Sequence, residues 1–171
     1  MNQHLERLEG LAPMLRQPVG QLIMLCQRQL HRTLCVVTGF RPPEDQEALY
    51  RKGRSVDPTS GLLVVTDPSQ VVTKARPGMS AHNVTTEMGD PFAMAVDLVP
   101  MNEDGTLDWS PNEDFWELLY GLGWRCGLDA LGDPVGAYLS WDKCHFEEPA
   151  WKLKLPGLRA VQPGAVGGVA L

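Results

Sequence analysis

Apolar residues from Leu5 to about Leu34 (Leu5, Leu8, Leu11, then Leu22, Ile23, Leu25, Cys26, Leu30 and Leu34) recur at the spacing of one helical face. Pro18-Val19-Gly20 interrupts the pattern and divides it into two predicted helices. Cys35-Val36-Val37-Thr38-Gly39-Phe40 then reads as a buried strand, ended by Arg41-Pro42-Pro43. Pro43, Glu44 and Asp45 suit a helix N-terminus, so a helix is predicted from about Glu44 to Lys52.

Residues 53–70 are rich in Gly, Pro, Ser and Asp around the short run Leu62-Leu63-Val64-Val65, which reads as a loop with one short strand. Met94-Ala95-Val96-Asp97-Leu98-Val99 alternates as a central strand does. Asn102-Glu103-Asp104-Gly105 is a turn; it lacks the ligand spacing and distal Glu of an EF-hand calcium loop. Ser110-Pro111-Asn112-Glu113 has the form of an N-cap, a first-turn proline and a capping-box acid. The helix it opens is expected to turn Phe115, Trp116, Leu118, Leu119 and Leu122 inward and to stop at Gly121 or Gly123. Helices and short strands are interspersed without an internal repeat.

At 171 residues the chain is expected to form one domain over residues 1–155, with 156–171 (Pro, Gly, Ala and Val, almost uncharged) as a flexible tail. A net charge of −6 argues against nucleic acid as a partner, and Arg51-Lys52-Gly53-Arg54 reads as a solvated helix end. Met1-Asn2-Gln3-His4-Leu5-Glu6-Arg7 has no basic stretch leading into an apolar run, so no signal peptide is expected. No segment is apolar for long enough to insert in a membrane, and a monomer made in the cytosol is the default expectation. Four cysteines (Cys26, Cys35, Cys126, Cys144) contain no C-x-x-C pair and are expected to be free packing residues, although Cys144 sits beside the chemistry described next.

Against this background, His82, Asp97 and His145 stand out together. Two imidazoles and one carboxylate make a three-ligand shell that leaves a position open for water, which is how catalytic zinc is held. Asp142, three residues before His145, can serve that water as a base. A lone histidine is usually a satisfied core residue, but that reading has to account here for several matched residues at once. The remaining histidines, His4 in the terminal segment and His31 within the expected helix, read as ordinary surface or boundary residues. These residues describe a small zinc hydrolase.

The pattern Ser80-x-His82, Ala95-x-Asp97 and Asp142-x-x-His145-x-Glu147 resembles that of the zinc peptidases that cut peptidoglycan stems. These are the D-alanyl-D-alanine carboxypeptidases and dipeptidases and the phage L-alanyl-D-glutamate endolysins. Thr38-Gly39-Phe40-Arg41 with Gln46 and Leu49-Tyr50-x-x-Gly53-Arg54 is similar to their Gly-aromatic-Arg…Gln…Gly-Arg block. Val72-Thr73-x-Ala75-x-Pro77-Gly78 is similar to the lead-in to their first ligand. The match spans roughly residues 36–148. It implies an α+β fold with a small central antiparallel sheet carrying the zinc site, flanked by helices, as in hedgehog and D-Ala-D-Ala peptidases. It further implies His82, Asp97 and His145 as zinc ligands, Asp142 as the base, and Arg41 against a substrate carboxylate or developing oxyanion. Ser80 and Gln46 are implied as substrate contacts or pocket supports, and Glu147 as a group orienting a ligand.

The chain departs from that family in one place. His82 and Asp97 stand 15 positions apart, further than the family's first His and its Asp, and the extra residues include the turn signal Met88-Gly89-Asp90-Pro91. The midpoint of 82 and 97 falls between Gly89 and Asp90, so a two-armed hairpin about that turn is expected to set residue 82 opposite residue 97. Asp97-Leu98-Val99-Pro100…Gly105-x-Leu107-Asp108-Trp109, followed by Phe115-Trp116, resembles the phage endolysin branch. That branch cuts between L-alanine and D-glutamate in the host wall, from a protein made in the host cytoplasm and released once the membrane is opened. The alternatives carried forward are a D-alanyl-D-alanine carboxypeptidase or dipeptidase with the same zinc chemistry, and a non-catalytic wall-binding virion component.

Overall fold

The central strand explains the arrangement of everything around it. In the computed structural model, which describes residues 7–130, 142–154 and, by backbone alone, 158–160, Ala95–Pro100 (β5) is buried along its whole length. It lies between Leu34–Thr38 (β1) and His145–Glu147 (β6) in a three-stranded antiparallel sheet of order β1-β5-β6. Alternation then assigns the two faces. Val96 and Leu98, with Leu34 and Val36 from β1 and Phe146 from β6, enter the main core. Asp97 and its register partner His145 point to the other face.

Two helices cover the apolar face: Pro13–Gln29 (α1) and Glu113–Arg125 (α3). Leu15, Val19, Leu22 and Cys26 of α1 and Phe115, Trp116, Leu119 and Leu122 of α3 complete the core. Pro43–Arg51 (α2) follows β1, and a hairpin of Arg54–Val56 (β2) and Leu63–Val65 (β3) stands beyond it. Val84–Thr86 (β4) pairs with Leu158–Ala160 (β7). A smaller cluster of Ala12, Ala81, Val84, Met94, Ala95 and Trp151 forms a second packed layer. The architecture is α+β, as expected. No helix among the described residues is long and apolar enough to cross a membrane.

Several expectations are corrected. The break in the N-terminal helical region falls at Gly10-Leu11-Ala12 rather than at Pro18, because this segment pairs with Ala93 through Ala12 N–H to Ala93 O (2.9 Å) and Ala93 N–H to Gly10 O (2.9 Å). Pro18 lies inside α1: one backbone donor is lost, but the buried face of Leu15, Val19 and Leu22 holds the helix continuous. His31 lies past the helix end with φ 55, not within it. The 53–70 loop contains two strands, since three-residue β2 is too short to show a period of its own. Asn112, not Ser110, caps α3, its Oδ1 accepting the Phe115 N–H at 2.9 Å. The helix also runs through Gly121 and Gly123. It ends where Gly127 takes φ 82, and Leu128 N–H and Gly127 N–H close a Schellman motif onto Gly123 O and Trp124 O, both at 2.9 Å. Leu118, expected inside, is exposed on the outer face of α3.

The expected tail 156–171 lies outside the described residues apart from β7, as do His4 and Leu5 at the other end.

Gly123 explains why α3 tolerates glycine in its interior. A Cβ there would stand 2.8 Å from Cε1 of Phe146, which is fully buried. Gly121, two residues earlier, has nothing within 4 Å of a built Cβ. Gly121→Ala should therefore stabilise the fold by up to about 1 kcal/mol through helix propensity. Gly123→Ala should destabilise it by about 1–3 kcal/mol through overpacking. Denaturant unfolding of the pair should give shifts of opposite sign.

Candidate metal centre

Asp97 owes its position to the register of β5 and to an irregularity in β1. Val36 pairs with Leu98 but Thr38 with Asp97, so Val37 is an extra residue in β1. The bulge re-aims the chain that leaves the strand, so that Gly39 and Arg41 pass beside Asp97 and His82. Gly39 is required on its outer side, where a Cβ would stand 2.3 Å from the Arg7 carbonyl oxygen.

His82 is held in a short 3-10 turn, Ala81–Asn83, capped by Ser80, whose Oγ accepts the His82 N–H at 3.3 Å. Its Nδ1–H donates to Gly39 O at 2.8 Å, which fixes the tautomer and turns the Nε2 lone pair inward. The His145 ring is held in the same manner with the nitrogens exchanged: Nε2–H donates to Glu147 Oε2 at 3.1 Å, leaving Nδ1 to face His82 and Asp97. The three inward atoms form a nearly equilateral triangle. His82 Nε2 to His145 Nδ1 is 3.2 Å, and Asp97 Oδ1 is 3.3 Å from each.

Such a triangle of acceptors fits a metal ion. Among the described residues, with the facing nitrogens of His82 and His145 unprotonated, Asp97 Oδ1 is buried without a hydrogen-bond donor, while its partner oxygen Oδ2 accepts from Arg41 Nη2 at 3.2 Å. Tetrahedral bonds of about 2.0–2.1 Å to nitrogen and oxygen place neighbouring ligand atoms roughly 3.3–3.4 Å apart, close to the separations seen here. The donor set, two neutral imidazoles and a carboxylate, suits zinc chemistry.

The charges respond to this crowding. Burial alone would lower the His145 pKa, but its bonds to Asp97 and Glu147 outweigh it and push it up to about 10. Burial would likewise raise the Asp97 carboxyl, yet the charge of His82 and the imidazole hydrogen bonds hold it well below the usual carboxylate range. Without metal, His145 is thus an imidazolium between two acids. Its contribution to stability is fully present below about pH 6.5 and is lost as pH rises through about 10. The melting temperature of metal-free protein should fall across that window, and this part of the fall should vanish in His145→Gln.

Asp142 occupies the turn before β6, and its backbone carbonyl accepts the His145 N–H at 3.3 Å. Oxygens of Asp142 and Asp97 and Cys144 Sγ all lie within 4.8 Å of one another. Burial, reinforced by Asp97, raises the Asp142 carboxyl against the pull of His145, His82 and Arg41. The Cys144 thiol is pushed far up by burial and donates to Asp142 at 3.9 Å, so it remains a protonated packing group. Arg41, beyond its contact with Asp97, donates from Nη1 to Gln46 Oε1 at 2.9 Å. Gln46 is fully buried and donates in turn to Ala75 O at 2.8 Å. Gln46 thereby supports the wall, whereas Ser80, Arg41, His82, Asp97, Asp142 and His145 all line one open cavity of about 460 Å³.

The expected hairpin between His82 and Asp97 is present, with its register displaced. Thr86 N–H bonds Asp90 O at 3.0 Å, Phe92 N–H bonds Val84 O at 2.9 Å, and Met94 N–H bonds Ala81 O at 2.8 Å, so the turn centres on Met88. His82 is therefore not opposite Asp97; the second arm runs on into β5 and brings Asp97 back to His82. Sequence reasoning missed the Gly39 carbonyl, which carries no side-chain signal. It also missed Trp151 and Lys152, which line the cavity from beyond the matched segment.

The fold is shared with two solved peptidases. The structure is similar to the L-Ala D-Glu endopeptidase ChiX of Serratia marcescens, at 19% identity over 88% of this chain and 89% of that one, with a TM-score of 0.53. It is similar as well to the E175A mutant of the vancomycin resistance D,D-pentapeptidase VanY from a VanB-type cassette, in complex with Zn(II). There the identity is 17% over 85% of this chain and 77% of that one, with a TM-score of 0.53. No protein-family model matches the chain.

Proposed function

We propose that this protein is a zinc-dependent peptidoglycan peptidase that hydrolyses the stem peptide at the L-alanyl-D-glutamate bond, as a phage endolysin does during host lysis. The observation that carries the reading is the triangle of three inward acceptor atoms with Asp142 beside it, in an open cavity. His82, Asp97 and His145 would hold the zinc. When bound, the metal supplies a Lewis acid for the scissile carbonyl and lowers the pKa of water.

Asp142 takes the proton from the attacking water and returns it to the leaving amine. Burial raises its carboxyl above that of a free aspartate, which makes it a stronger base. Arg41 holds Asp97 in place and presents guanidinium charge to the cavity, where it can meet a substrate carboxylate or the oxyanion. Ser80 fixes the turn that carries His82, and Glu147 keeps the His145 tautomer. The protein acts as a monomer on the wall, after synthesis in the host cytoplasm and opening of the membrane by another agent, with no role for nucleic acid.

The second reading, a D-alanyl-D-alanine carboxypeptidase, is favoured by the equal likeness to the D,D-pentapeptidase. Mass spectrometry of purified peptidoglycan digested with the zinc-loaded protein separates the two. New N-terminal D-glutamyl or D-isoglutaminyl fragments are the expected result, and release of terminal D-alanine instead would select the second reading. No cleavage at all would favour a wall-binding virion component.

A further inference from the structure

The groups nearest the metal centre are acidic, but the cavity also carries unpaired positive charge. Lys74 and Lys152, both exposed, line it from two separate segments, the approach to Ser80 and the 3-10 turn Trp151–Lys154. Neither has a carboxylate partner among the described residues, whereas Lys143 pairs with Glu113 and Lys154 with Glu148. Lys152 is positioned by its own neighbour: its ammonium lies 5.5 Å from the ring centroid of Trp151, which is buried in the second packed layer. On a chain of net charge −6, two unneutralised ammonium groups lining the same cavity as Asp97, Asp142 and Glu147 counter the repulsion that those acids would exert on an anionic substrate.

We infer that Lys74 and Lys152 form an anion subsite that selects stem peptides bearing a free carboxylate beside the scissile amide over the same peptides bearing a carboxamide. The inference rests on the proposed peptidase reading and adds a substrate class to it. In a stem joined through the glutamyl side chain, the remaining carboxyl of D-glutamate is either free or amidated, and the subsite makes the enzyme one for unamidated walls.

Two synthetic peptides, L-alanyl-γ-D-glutamyl-L-lysine and its D-isoglutaminyl counterpart, test this with zinc-loaded protein. Two exposed ion pairs correspond to roughly a 3- to 10-fold preference in kcat/KM for the carboxylate peptide at low salt. That ratio should shrink in about 0.5 M salt as the charges are screened. In the Lys74→Gln/Lys152→Gln double variant, which keeps Arg41 on Asp97, it should fall to about unity. Equal kcat/KM values for the two peptides with the wild-type protein would overturn the subsite, as would a preference that survives in the double variant. Cleavage of neither peptide would overturn the L-alanyl-D-glutamate reading on which the subsite rests, and the subsite with it.

Discussion

Replacing His82 with alanine should abolish both zinc binding and hydrolysis. Its Nε2 is one of the three atoms of the acceptor triangle, and its ring is buried and held by Gly39. Zinc sites contribute roughly 10–16 kcal/mol of binding free energy across their ligands. Losing one of three protein ligands should therefore weaken affinity by roughly 10²–10⁴-fold. His145→Ala should behave alike. The check is zinc content after dialysis against a chelator buffer, with circular dichroism to establish that the fold persists. Retention of zinc at normal affinity in either variant would show that the ligand set is wrong.

Asp142→Asn should divide the two properties that the ligand variants lose together. The amide keeps the size of the carboxylate and leaves His82, Asp97 and His145 in place, so zinc should remain bound. Turnover should fall by roughly 10²–10⁴, the range for removal of a positioned general base. The pH profile adds a second readout. Because burial raises the Asp142 carboxyl, the acid limb of the wild-type profile should lie above that of an ordinary aspartate and should fall away as pH drops through it. In the variant this limb should vanish, leaving only the loss of metal as the imidazoles protonate. Full activity in Asp142→Asn would assign the base elsewhere.

His82, Asp97 and His145 stood out in the sequence because two imidazoles and a carboxylate are the donor set of a catalytic zinc shell. In the structure the carboxylate of Asp97 is buried within β5, where it needs a partner. The pairing of β6 with β5, which puts His145 beside Asp97, was not readable from three residues of strand. Nor was the Gly39 carbonyl, because a main-chain acceptor has no residue signature. Pro18 misled because local propensity was overridden by a buried helix face, and Ser110 misled because Asn112 offered the same capping chemistry two residues later. The hairpin was foreseen from its turn residues, but its centre was displaced because the pairing is set by the Ala81–Met94 and Val84–Phe92 hydrogen bonds rather than by symmetry about the ligands.

The two-faced sheet also decides where this chain can change length. Asp97 is flanked by Val96 and Leu98, and His145 is followed by Phe146, so each ligand sits one step from a side chain that fills the core. Deleting or inserting a single residue within β5 or β6 would exchange the two sets, turning a ligand into the apolar core and a core side chain toward the metal centre. The β4 hairpin has no such restriction: its base is clamped by the Met94–Ala81 hydrogen bond, and its tip at Met88 lies in solvent. Residues can be added there in pairs without moving His82 or Asp97, so divergence among related chains should accumulate as hairpin length while the ligand-bearing strands keep their residue count.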